Sequence, residues 1–154
     1  MATGFGLIPV RHLTGGTLRI NEYFVPSTDS VALFVGDAVT LVNAMDAAGE
    51  KAVVARAAAG ATLLGAVVGV RPDPADLYQT HRTASTARYV LVCDDPDAVF
   101  QVQEDADGGA VSAANIGEGM NADIIVAAGS AVTGLSGTML DSNTAAATAA
   151  TLKI

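Results

Sequence analysis

The stretch STARYVLVCDDPDAVFQVQEDAD, residues 85–107, constrains the fold more than any other. An unbroken apolar run, 89–93, is rich in β-branched and aromatic residues and reads as a buried strand. It stops at Asp94-Asp95-Pro96-Asp97, where a proline among short acidic side chains sets a turn and excludes a helix. Alternating residues follow over 99–103 and predict a second strand, so that 88–93 and 98–103 form a strand pair. A further acidic turn, 105–109, closes the segment. The chain is therefore expected to be mainly β, with its charge on the turns.

The same punctuation recurs along the chain. Strands are expected over 31–35, 38–42, 52–56 and 62–70, with 43–51 as a hairpin loop and Gly65 and Gly69 marking bends or bulges. Pro72 and Pro74 make 71–74 a loop, with a helical turn expected around 75–78. The segment 113–119 reads as irregular or helical, and 121–126 as leading into a strand. A final strand pair is expected from 138–141 and 149–154. The Thr/Ala run 144–151 is left open between helix and strand. Residues 1–30 contain Gly4, Gly6, Pro9, Gly15, Gly16 and Pro26, too many breakers for a helix, and read as an extended N-terminal arm with one strand at 18–25. The expected architecture is a compact β-barrel or β-sandwich over 31–154 preceded by that arm.

Charge is unevenly placed. Residues 1–88 carry seven acidic and seven basic side chains, whereas 89–154 carry nine acidic ones against Lys153, so the net charge of −8 belongs to the second part. An acidic surface repels phosphate, so no nucleic-acid partner is expected. No window is long and apolar enough for a membrane span: 52–70 is interrupted by Arg56 and three glycines. The N-terminus lacks the basic start and apolar core of a signal peptide. The single cysteine, Cys93, excludes an intramolecular disulfide and fits a cytosolic place of assembly.

Candidate chemistry is sparse. The carboxylates Asp94, Asp95, Asp97, Glu104, Asp105 and Asp107 offer oxygen ligands for Ca²⁺. A calcium loop starting at Asp105 would place Ile116 where a bidentate Glu is required, so no metal is assigned. Cys93 beside two aspartates lacks the electropositive setting of a nucleophile, and His12 and His81 have no zinc spacing. The glycines at 4–6 and 60–65 fit neither a dinucleotide nor a phosphate loop. No enzyme activity and no cofactor are expected.

The segments PVRHLTGGTLRINEY (9–23), GDAVTLV (36–42), GATLLGAVVGV (60–70), STARYVLVCDDPDAVFQVQED (85–105) and NADIIVAAGSAVTGLSGTMLDSN (121–143), in this order and spacing, resemble the head decoration, or cement, proteins of tailed bacteriophages. The resemblance extends over almost the whole chain. It implies a virion structural protein on the outer surface of the capsid, assembled in the host cytoplasm. Such a protein binds the major capsid protein, self-associates as a homotrimer and clamps neighbouring subunits. It carries no catalytic residue over. Arg11, His12 and Arg19 are the expected polar capsid contacts, and Leu13, Ile20 and Tyr23 the apolar anchors. The alternatives are a tail or baseplate β-structural protein and a small barrel binding Ca²⁺ or another ligand.

Overall fold

Strand side chains point alternately to opposite faces, and five strands pair around to close a barrel. The computed structural model describes residues 4–105, 119–145 and 151–154. The strands are β1 (Ile8–His12), β2 (Ile20–Val25), β3 (Ala38–Met45), β4 (Ala52–Arg56), β5 (Gly65–Val70), β6 (Arg88–Cys93), β7 (Ala98–Gln101), β8 (Asn121–Ala122), β9 (Ile124–Ile125), β10 (Met139–Leu140) and β11 (Leu152–Lys153). A single 3₁₀ turn, Ser142–Thr144, is the one helical element among the described residues. The barrel runs β2-β4-β3-β5-β6 and closes through a parallel contact between Phe24 of β2 and Val53 of β4. Its other seams are antiparallel.

Two hydrophobic cores result. Val25, Leu33, Val39, Val54, Val67, Val90 and Val92 fill the barrel interior, each fully buried. The second core lies where small residues, Ala38, Ala57 and Ala66, meet Leu7 and Ile124, with Phe100, Val102 and Leu152 packed against them. Alanines at the shared surface let the flanking segments approach the barrel backbone closely. One crossing has no room even for a methyl group. The Leu7 N–H donates to the Gly36 carbonyl (2.8 Å), and a Cβ on Gly6 would lie 2.5 Å from that oxygen. Both Gly6 and Gly36 have positive φ, +79° and +93°, which glycine adopts without strain.

Several expectations change. An extended arm over 1–30 is not confirmed: β1 pairs with β7, and β2 is a barrel strand bonded to β6 over its whole length. The strand pair 88–93 and 98–103 divides between sheets, because the turn 94–97 carries β7 away from the barrel to meet β1. The segment 31–35 makes only two isolated bridges, Leu33 to Arg82 and Val35 to Leu135. β3 extends three residues into the expected 43–51 loop, with a register shift between Val42 and Met45. The final pair is not a pair: β10 joins β9, and β11 joins β8. Turns and an isolated bridge from Asp76 to Asp73, not a helical turn, occupy 75–78. The bulge expected near Gly69 is present, between Val67 and Gly69. The expected elements at 106–109, 113–118 and 146–150 lie outside the described residues.

Candidate functional site

The end of the barrel where β2 begins and β6 stops gathers most of the residues expected to act. Inward-facing positions on β6 are Val90 and Val92, and Asp94 continues that alternation one step past the strand. Asp94 is 7% exposed and sits over the barrel mouth. Asn21 Nδ2 donates to its Oδ2 (2.9 Å), the Tyr23 hydroxyl donates to the same oxygen (2.6 Å), and Arg19 Nε donates to Oδ1 (2.9 Å). Arg19 also donates from a second nitrogen to the Asp94 carbonyl (2.6 Å). Burial is the largest single influence on this carboxyl and pushes its pKa up. The three donors and the guanidinium charge together outweigh it, and the net shift is downward. The Tyr23 hydroxyl, half-buried and facing that anion, is pushed up to about 12.

A second group lies just outside. Asp95 Oδ1 accepts the Asp97 N–H (3.0 Å), and its Oδ2 accepts the Arg19 N–H (3.1 Å). The hydrogen bond from Asp97, then that from Arg19 and the nearby positive charge, hold the Asp95 carboxyl below its usual range. His12 Nε2 faces Asp95 Oδ2 at 3.6 Å and Asp97 Oδ2 at 4.0 Å. These three residues could bring ligand atoms within 4.8 Å of one another. The tautomer argues against a metal. His12 Nδ1 accepts the Thr14 N–H (3.2 Å), which places the ring proton on Nε2. An ion on Nε2 would require that proton to move to Nδ1 and the Thr14 N–H to lose its acceptor, so in this arrangement the group is a donor facing two acceptors.

The six expected contact residues therefore separate. Arg19 and Tyr23 are committed to Asp94, and His12 to the aspartates of the turn. Arg11, Leu13 and Ile20 face solvent, with Leu13 61% and Ile20 48% exposed. Val10, also exposed, lines a shallow groove of about 570 Å³ together with Arg11, Leu18 and Ile20.

Polar groups elsewhere are also occupied with structure. Arg82 is fully buried and donates to the carbonyls of Pro26, Asp29, Val31 and Thr86 at 2.5–2.8 Å. Asp37, also fully buried, accepts from the Phe34 N–H (2.8 Å) and the Ser136 hydroxyl (2.5 Å). Burial raises its pKa against those bonds. The Cys93 thiol is pushed up, chiefly by burial, and no described histidine hydrogen-bonds it.

Sequence reasoning missed both Arg82 and the hub at Asp94. Arg82 leaves no local signal, since its four acceptors come from loops up to 56 residues away. Asp94 did leave one: its parity with Val90 and Val92 marks it as inward-facing. Models of known protein families, curated proteins and solved structures contain no match to this chain.

Proposed function

We propose that this chain is a structural protein of a tailed-phage head, one that decorates and cements the outer surface of the capsid by bridging neighbouring major capsid protein subunits. One observation carries the reading. The described polar clusters are spent on holding the fold, while sizeable apolar side chains, Val10, Leu13, Ile20, Leu77 and Tyr78 among them, are left facing solvent. The barrel interior is filled with valines and a leucine, so it offers no chamber for a small ligand.

Function on this reading is burial of apolar surface between subunits, which stabilises only the assembled lattice. Arg11, Leu13 and Ile20 contact neighbouring subunits of the particle, and the acidic remainder keeps the free protein soluble at high local concentration. Self-association as a homotrimer belongs to the same proposal. The test is addition of the purified protein to heads that lack it, followed by heating and measurement of DNA release. Decorated heads are expected to retain DNA to a higher temperature. Equal release with and without the protein overturns the cementing role. Hexameric rings on a tail tube would move the chain to tail assembly.

A further inference from the structure

Tyr78 is 96% exposed and Leu77 75%, yet the loop that carries them is tightly organised. Asp73 Oδ1 accepts the Ala75 N–H (2.9 Å), and Asp76 Oδ1 accepts the Tyr78 N–H (3.1 Å). The Asp76 N–H donates to the Asp73 carbonyl (3.1 Å). At the base, the largely buried Arg88 reaches Asp73 Oδ2 (3.1 Å), Gln79 Oε1 (3.1 Å) and the Arg71 carbonyl (3.3 Å). One guanidinium thus staples both ends of the loop. An aromatic and a leucine presented on a preordered loop lose little entropy on docking, which is what an anchor residue needs.

A complementary surface exists on the same chain. The groove between Val10 and Ile20 has these two and Leu18 as its apolar side chains, Arg11, His12 and Thr17 as its polar groups, and two glycines. Arg11 makes no ion pair among the described residues, and neither does Asp76, which adjoins Leu77. In a chain of net charge −8, an exposed arginine without a carboxylate beside a partly apolar groove is matched to an acidic, apolar visitor. The loop cannot serve its own groove. Ile20 opposes Cys93 at one end of β2, and Val25 opposes Arg88 at the other. Five residue steps separate these ends by about 17 Å.

We propose that the pair Leu77 and Tyr78 of one copy docks in the Val10 and Ile20 groove of the next, with Asp76 against Arg11. The two surfaces differ, so the contact is heterologous and propagates into a closed ring or a filament. The inference rests on the adhesive reading of the chain, and its partner is a second copy, not the shell.

Sedimentation velocity from about 1 µM to 1 mM tests it. Wild-type protein is expected to associate. A knob variant, Leu77→Ser with Tyr78→Ser, and a groove variant, Val10→Asp with Ile20→Asp, are each expected to have a dissociation constant at least about tenfold weaker. The knob variant should keep the wild-type melting temperature, because its lost side chains are exposed. Mixed together, the two variants should form a 1:1 dimer and nothing larger, since only one intact knob and one intact groove remain to meet. Arg11→Ser and Asp76→Asn should each weaken association, and the double variant no more than either single one. A wild type that stays monomeric throughout, variants that associate like wild type, or a mixture that does not pair would each overturn the contact. Monomeric wild-type protein that still binds heads would leave the decoration reading standing. Self-association without head binding would do the reverse.

Discussion

At the scale of single residues, Asp94 is the most consequential side chain. Three side chains of the 19–23 segment converge on it, so its removal leaves several donors without an acceptor. Asp94→Ala should destabilise the protein by about 2–4 kcal/mol, more than one hydrogen bond would, because the group acts as a network. The same variant should bring the Tyr23 hydroxyl down from about 12, which an ultraviolet phenolate titration reads directly. An unchanged titration would show that Asp94 does not hold the phenol. The pH dependence has a definite sign. The native pKa of Asp94 lies below its ordinary 3.8, so its contribution is complete above that value and is lost as pH falls through the native pKa. Asp37 works oppositely: its raised pKa favours the folded state when protonated, and that contribution is lost as pH rises through it. Denaturation midpoints measured from about pH 5 downward should therefore fall less steeply in Asp94→Asn than in wild type. An acid limb of unchanged slope would remove Asp94 from that role.

At the scale of elements, the barrel depends on segments that are not themselves strands. Arg82 ties the 26–31 loop to the 82–86 turn by donating to backbone carbonyls of both, with the Asp29 carboxylate 3.8 Å away. Burial lowers its pKa, with Asp29 opposing that shift. Arg82→Met should cost about 3–5 kcal/mol, since it leaves buried acceptors and a carboxylate without their cation. Arg82→Lys should recover only part, because an ammonium cannot span four carbonyls with a planar fork. Chemical unfolding curves of the two variants separate these outcomes; equal stability of Arg82→Met and wild type would refute the role. Strand β6 supplies another check. Cys93 is fully buried, and its thiol is held up mainly by burial. Thiol labelling should follow the opening of the barrel, and fast labelling of the native protein would place this strand end at the surface.

Across the whole molecule, stability and adhesion use different side chains. Interior valines and buried polar knots hold the barrel, whereas Leu13, Leu77 and Tyr78 contribute little to it. Leu13→Ser and Tyr78→Ser should each change unfolding free energy by no more than about 0.5 kcal/mol, while impairing association with other subunits. A large loss of stability in either would mean that the side chain belongs to the core. The same division explains how far the sequence could be read. Apolar, β-branched and aromatic runs between turn residues located β2, β4 and β6, and a glycine marked the bulge at Gly69, because such runs and breakers are local properties. They could not tell which strands would meet. The 88–93 and 98–103 runs are neighbours in sequence but lie in different sheets. The leading segment reads as an arm from its breakers alone, yet β2 completes the barrel and β1 covers it.

Local residue patterns alone specify a chain of short strands with most of its negative charge on the turns. β-branched runs, prolines and glycines act on their own residues and need no distant partner. Long-range packing was needed to close five strands into a filled barrel and to make Asp94, Asp37 and Arg82 buried knots. It also decided that Arg11, Leu13 and Ile20 lie at the surface with no polar side-chain partner among the described residues, while Arg19, itself exposed, and the half-buried Tyr23 are tied to Asp94. Those outcomes depend on which backbone carbonyls and side chains arrive from tens of residues away, and a desolvated polar group is tolerable only where such partners converge.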